Sequence, residues 1–561
     1  MRGTADGPVG MPPVVHAIIC LVRERMSKPR IPRTIAYFGL AFIPLLLIAA
    51  EEKVDLSVVH RIKSEAYDNS RVMDHVFYLT DANGPRLTGS PGYKAAADWV
   101  VAKMNEYGLQ AKEEKWGPFG RGWINKHFEA HMLEPAYQSL IGVPLAWTAS
   151  TNGIVTGEPI SVTVRTEADF EKYKGKLAGK VILMNDSRPL PFETEALGHR
   201  YTDQELAQEA TAPLPRGLFG ARGGGPDGQP PYNSEEGRQR RDERRRFRER
   251  VDEFFKQEGA LVLLSSSRAD GGTVLAQSGG PYDPKTLVTI ASAVLTGEHY
   301  NRIVRLVDHK IPVKLQFNIQ NEILENDVDS MNVIAEIPGT RKKDEIVMLG
   351  AHLDSWNGAT GATDNAAGCA VVMEAARILK ALNLPMDRTV RMALWSGEEE
   401  GLLGSRAYVK EHFADRETMK LAAEHAKLSG YFNYDNGTGK IRGIYLQGND
   451  IARPIFTAWL APFKDLGATV VSIRNTGGTD HQSFDAVGLP GFQFIQDPIE
   501  YDTLTHHSNM DVYDHIQAGD LMQASAIMAS FVYNAATREN MLPRKPLPKP
   551  QPARRGSGAT E

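Results

Sequence analysis

At 561 residues the chain is long enough for more than one domain and for a large interior. A composition of 42% hydrophobic and 24% charged residues is that of a globular protein, and a formal net charge of −5 gives no reason to expect nucleic acid as a partner. The two cysteines, Cys20 and Cys369, exclude a disulfide framework and a cysteine-based metal site.

In chain order, the first feature is Ile35–Ala50, an apolar run of sixteen residues preceded by Lys28, Arg30 and Arg33. A basic flank, an apolar core and a small-residue end at Ala49-Ala50 form a secretory signal pattern, so residues 1–50 are expected to direct export to the periplasm or the extracellular space. A membrane span needs about 20 apolar residues, which favours cleavage and leaves an N-terminal anchor as the alternative. Met26 makes a more typical start for such a signal than Met1 does.

Residues 51–140 read as mixed α/β, with Tyr93–Tyr107 helical through Ala96, Val100 and Met104. Residues 141–325 change character: short β-type runs at Ile160–Val164, Lys180–Met184, Ala260–Leu264 and Leu287–Ile290 alternate with Gly, Pro and polar turns, giving a β-rich insert. Within it, Ala210–Asn233 is loop-like. Glu235–Lys256 carries eight arginines, but Phe247, Val251, Phe254 and Phe255 recur at helical spacing, so an amphipathic helix with a charged face is expected there. From 326 to 540 strands and helices alternate: strands at Glu345–Gly350, Thr389–Trp395 and Tyr431–Tyr434, and a long helix over Ala366–Leu382, in which Cys369 reads as a small core residue. The expected fold class is α/β, with a mostly parallel central sheet flanked by helices. Residues 541–561, rich in Pro and basic side chains, read as a disordered tail.

Five short segments of the C-terminal part carry metal-binding side chains: Ala-His-Leu-Asp (351–354), Thr-Asp-Asn-Ala-Ala-Gly (363–368), Gly-Glu-Glu-Glu-Gly (397–401), Tyr-Asp-Asn-Gly (434–437) and His-His-Ser-Asn-Met-Asp (506–511). Each has an ordinary reading. His352 with Asp354 fits a solvated turn, Asp364 a helix N-cap, Glu398–Glu400 an acidic turn, Asp435 a turn residue, and His507 a loop histidine. Together, and mostly at strand ends, they fit an α/β protein presenting ligands at the carboxyl edge of its sheet. Residues i and i+2 of an extended segment share a face, so Asp354 is placed to orient His352. Two divalent ions sharing a carboxylate activate a water, and the reading is a two-metal hydrolase.

The segments GAHLDSW (350–356), ATDNAAG (362–368), SGEEEGLLGS (396–405), FNYDNGTG (432–439) and THHSNMD (505–511) resemble the dizinc aminopeptidase family that includes plasma glutamate carboxypeptidase. The resemblance implies a zinc-peptidase fold interrupted by a protease-associated (PA) β domain, which the β-rich insert matches. It also implies two zinc ions: one on His352 and Asp435, the second on Glu399 and His507, with Asp364 bridging. Glu398 matches the family's general base, and Asp364-Asn365 a family position with a cis peptide. Many relatives carry tyrosine where this chain has His506, which puts a tyrosine oxyanion donor in doubt. Asp480 and His481 lie where some relatives approach substrate.

The leading expectation is an exported zinc exopeptidase acting on short peptides at their amino end, with Glu398 and Asp354 as its catalytic pair. The alternatives are a carboxypeptidase or dipeptidase on the same scaffold, for which an arginine such as Arg474 would have to meet a substrate carboxylate, a one-metal glutaminyl cyclase-like enzyme, and a non-catalytic receptor-like relative. Short peptides are the expected partners, with no stable membrane partner beyond an N-terminal anchor and a homodimer left open.

Overall fold

The strand Lys342–His352 buries Ile346 and Met348 on one face and Val347 and Leu349 on the other, so the sheet that contains it must be covered on both sides. The computed structural model describes residues 52–214, 235–326 and 328–550, and within them that sheet has eight strands. Their order is Gln110–Trp116, Ser330–Ile337, Arg388–Trp395, Lys342–His352, Leu428–Asn433, Gly491–Gln496, Ile441–Tyr445 and Val470–Ser472. Four of the seven pairings are parallel, including the three that join Arg388–Trp395, Lys342–His352, Leu428–Asn433 and Gly491–Gln496. These four strands end on the same edge, which places the residues after them side by side.

Helices cover both faces. Val347 and Leu349 pack with Ala367–Ala381 and Ala518–Thr537 and with the N-terminal helices Leu56–Asp68, Val72–Leu79 and Pro91–Glu106. Ile346 and Met348 face the opposite way, onto Tyr408 and Val409 of Leu403–His412 and onto Phe484. The mostly parallel, helix-flanked α/β sheet expected from the alternation is therefore present.

Residues 122–324 build two further sheets. Gly122–Glu134 and Lys314–Leu324 pair antiparallel over most of their length at the centre of a four-stranded sheet. A five-stranded sheet follows the order Gly142–Pro144, Ser292–Leu295, Val262–Ser266, Val181–Leu183 and Pro159–Ser161. Val181 and Leu183 face the core shared with the first of these sheets, while Ile182 points toward Val251 and Phe255 of the helix Glu235–Gln257. The arginine-rich segment is thus an amphipathic helix whose apolar stripe covers the sheet.

Two expectations are corrected here. The strand expected at Leu287–Ile290 lies at Ser292–Leu295: Ala291–Leu295 is buried throughout, whereas Leu287 is exposed and Thr289 forms only an isolated bridge with Thr148. Residues 541–550, expected as part of a disordered tail, are packed down. Leu542 is buried against the main core, Arg544 donates to the carbonyls of His425 and Leu428, and Lys545 pairs with Asp485 at 2.5 Å.

The apolar run 35–50 and most of Ala210–Asn233 lie outside the described residues. Among the described residues no helix is long and apolar enough to cross a membrane.

Candidate metal centre

His352 is the last residue of its strand, Glu398 and Glu399 follow the strand ending at Trp395, and Asp435 follows the strand ending at Asn433. Asp364 lies in a kinked turn before the helix Ala367–Ala381. That helix starts from Ala366 with no side-chain cap, and Asp364 has φ −131° and ψ 86°, so Asp364 is not its N-cap. The Asp364–Asn365 peptide is cis. The Asn365 side chain ties two of these segments together: its amide donates to the Tyr434 carbonyl at 3.0 Å and its oxygen accepts from the Gly368 N–H at 3.0 Å.

The five residues expected as metal ligands converge on one carboxylate. Asp364 Oδ1 lies 3.2 Å from His352 Nε2, which is 3.3 Å from Asp435 Oδ1. On the other side, Asp364 Oδ2 lies 3.3 Å from His507 Nε2, which is 2.9 Å from Glu399 Oε2. Two clusters, each with an imidazole and a carboxylate of its own, share Asp364. His506, its ring tilted by 35° against that of His507 with ring centres 3.8 Å apart, reaches to 3.8 Å from Asp364 Oδ2.

Asp354 works differently from the simple i, i+2 expectation. Its backbone carbonyl is the nearer group to His352 Nδ1, at 3.0 Å, and its Oδ1 stands 3.6 Å away, beyond good hydrogen-bond range. The carboxylate accepts instead from the Thr88 hydroxyl at 3.1 Å and from the backbone N–H groups of Glu398 and Glu399, each at 3.3 Å. It therefore locks the glutamate loop against the His352 strand.

The electrostatics of the site are those of concentrated, poorly compensated negative charge. Burial, reinforced by neighbouring carboxylates, pushes Glu398, Glu399 and Glu400 well above the usual carboxylate range. Burial opposes the charging of His352, yet the carboxylates of Asp435 and Glu398 raise it well above the ordinary imidazole value. Glu399 Oε1 is buried with no hydrogen-bond partner among the described residues. Two imidazole nitrogens and three carboxylates, with an orphaned buried oxygen, fit divalent cations, and neutral imidazole with carboxylate oxygen is a donor set suited to zinc.

Three contributors were not foreseen. Asp511 is buried, accepts from Thr363 N and Oγ1 at 2.5 and 2.8 Å and from Asp364 N at 3.3 Å, and is pushed up to about 7 by burial and by the Asp364 charge. Its signal was available as the last residue of the 506–511 segment. Arg86 is fully buried, donating to the carbonyls of Leu79, Leu353, Thr360 and Gly361, and so braces the loops that follow His352 and precede Asp364. Gln277 comes from the region of the two extra sheets, its side-chain amide 2.9 Å from His507 Nδ1.

Asp480 and His481 are fully buried. His481 Nε2 lies 2.7 Å from the Gln447 amide and 3.2 Å from the Thr476 carbonyl, which are contacts of a structural kind. Arg474 is held by Glu209 at 2.7 Å. The walls of the cleft over the shared carboxylate include Trp356, Gly361, Asp364, Glu399, His507 and Asp511, and none of its described lining residues is a lysine or arginine.

With this geometry in place, similarity to known proteins becomes informative. A family model described as peptidase family M28 matches residues 332–532. Carboxypeptidase Q of Bos taurus is 31% identical over 498 residues, covering 88% of this chain and 90% of its own. Aminopeptidase YwaD of Bacillus subtilis (strain 168) is 30% identical over 217 residues, or 37% of this chain and 46% of its own. The crystal structure of a peptidase M28 precursor from Shewanella amazonensis SB2B is 25% identical, with a TM-score of 0.60 and coverage of 88% of this chain and 98% of that one.

Proposed function

The chain belongs to peptidase family M28, and on that footing we propose that it is an exported exopeptidase that uses two zinc ions to release residues from the amino end of short peptides. The observation that carries this reading is the division of Asp364, with one oxygen facing His352 and the other facing His507. His352 and Asp435 would hold one ion, Glu399 and His507 the other, and Asp364 both. Such ions, when bound, supply Lewis-acid polarisation of a carbonyl and acidification of a water.

The chain's own residues do the rest. Glu398 is buried beside His352 and Asp435, and the same burial that raises its proton affinity suits it to take a proton from the attacking water and return it to the leaving amine. Asp354 keeps Glu398 and Glu399 in register through their backbone N–H groups. The amino-end preference is supported by the charge of the cleft. A substrate amine would meet acids, whereas Arg86 is spent on backbone carbonyls and Arg474 on Glu209.

A carboxypeptidase is the second reading, favoured by the name of the bovine relative that matches most of the chain. Export rests on the basic and apolar pattern of residues 28–50. The PA-like insert, on this reading, restricts the cleft to a chain end. Rates on an unblocked tripeptide and on its N-acetylated form separate the alternatives. Much faster cleavage of the free form is expected; equal rates, or earlier release from the carboxyl end, would assign the carboxypeptidase activity instead.

A further inference from the structure

The loop bearing His507 is gripped by the β-rich region on two flanks. On one, His199 and Ile499 exchange backbone hydrogen bonds at 2.8 Å, and the Thr503 hydroxyl donates to the Leu197 carbonyl at 2.7 Å. On the other, Leu275 and Ser508 form an antiparallel bridge, Ala276 N donates to the His507 carbonyl at 3.1 Å, and Asn509 N donates to the Val274 carbonyl at 2.9 Å. The Asn509 side chain closes the pair by accepting from Val274 N at 2.7 Å. This pairing delivers the next residue, Gln277, to the ring of His507.

An imidazole ligates a cation only through a nitrogen that carries no proton, and in the neutral ring the proton then resides on the other nitrogen. In His507 the nitrogen facing Asp364 and Glu399 is Nε2, so the ligating tautomer has its proton on Nδ1. For His352 the corresponding acceptor is the Asp354 backbone carbonyl. For His507 the group in that place is the Gln277 amide, 2.9 Å away with its nitrogen as the near atom. Amide oxygen and nitrogen are alike in shape, and a half-turn of the amide presents the oxygen as acceptor.

We propose that Gln277 is the positioning residue of His507: it accepts the Nδ1 proton and thereby keeps Nε2 free for the second metal ion. This inference rests on the two-metal reading above. It makes the β-rich insert part of the metal centre, because the catalytic sheet supplies the ligand and the insert supplies the group that fixes its tautomer and angle. Partners of this kind typically matter about 10–100-fold in metal affinity. Gln277 is exposed, so its replacement removes no core packing.

The test is zinc titration of the full chain against a competing chelator, for the parent protein, Gln277→Leu and Gln277→Glu. Gln277→Leu is expected to weaken one of two zinc ions by about 10–100-fold and to leave the other unchanged, while Gln277→Glu, which restores an acceptor, binds at least as tightly as the parent. Parental affinity in Gln277→Leu would overturn the inference. So would equal weakening in both variants, or a changed KM with unchanged zinc affinity, which would make Gln277 a substrate contact. A parent protein that takes up no more than one zinc would overturn the two-metal reading itself, an outcome visible before either variant is compared.

Discussion

Asp511 holds Asp364 from behind: one of its oxygens accepts the Asp364 backbone N–H at 3.3 Å, while the other accepts from the backbone and hydroxyl of Thr363. The backbone of the Asp364 segment is thus held by a second buried carboxylate. Replacing Asp511 with Ala would leave the backbone N–H groups of Thr363 and Asp364 without that acceptor, at a cost of about 1–3 kcal/mol, while the Thr363 hydroxyl keeps Thr505 Oγ1 at 2.8 Å, and would free Asp364 to rotate. Zinc affinity is expected to fall by about tenfold or more, with the folded state retained. Unchanged zinc titration in Asp511→Ala would show that Asp364 needs no such support.

Glu398 and Glu399 are neighbours in sequence with different expected duties. Only Glu399 reaches His507, at 2.9 Å. Glu398→Gln is therefore expected to abolish turnover with nearly unchanged zinc content, and Glu399→Gln to lose zinc. Equal zinc loss in both variants, or an active Glu398→Gln, would reverse the division of roles.

The parts of this site that could be read in the sequence are those built by local rules. Strand periodicity put His352 and Asp435 at or just beyond strand ends and Glu398–Glu399 in the loop after another, and the shared edge of parallel strands did the rest. What stayed hidden depends on pairings distant in the chain. Arg86 meets Leu353 and Thr360 across some 270 residues, and Gln277 meets His507 across 230. Neither has a local pattern to announce it. The helix after Asp364 looked like one that an aspartate would cap; the kink at 364–365 turns the carboxylate away from the helix and toward the imidazoles. Leu542–Lys545 read as tail because Pro and basic residues dominate there, yet a single buried leucine and two anchored cations hold it.

The contribution of the acidic cluster to the stability of the zinc-free protein should fall as pH rises. Glu398, Glu399 and Glu400 have folded-state values raised by burial, and His352 is raised by its carboxylate neighbours despite burial. The folded state then binds more protons than the unfolded one above the ordinary carboxylate value of about 4.3, so the slope of stability against pH is negative there. Melts with and without zinc at pH 5.5 and pH 8 are expected to show added zinc raising Tm more at the higher pH. A zinc-induced rise in Tm no larger at pH 8 than at pH 5.5 would contradict the charge balance of the zinc-free cluster.

Gly368 is a glycine for lack of room. A Cβ there would lie 2.3 Å from Asn365 Oδ1 and 2.4 Å from the Tyr434 carbonyl, crowding the side-chain amide and the carbonyl whose hydrogen bond joins the Asp364 and Asp435 segments. Gly368→Ala should weaken zinc binding and lower Tm. Gly519→Ala, in the helix Ala518–Thr537 with nothing within 4 Å, should leave zinc binding alone and stabilise by up to about 1 kcal/mol. Equal effects of the two substitutions would mean that the close approach at Gly368 does not matter.

The most direct measurement is metal stoichiometry. Protein purified without chelators and equilibrated with zinc should carry two equivalents per chain, and replacing Asp364, the shared ligand, with Ala should remove both. A stoichiometry that stays at or below one after zinc supplementation would contradict a two-metal centre built on His352, Asp364, Glu399, Asp435 and His507.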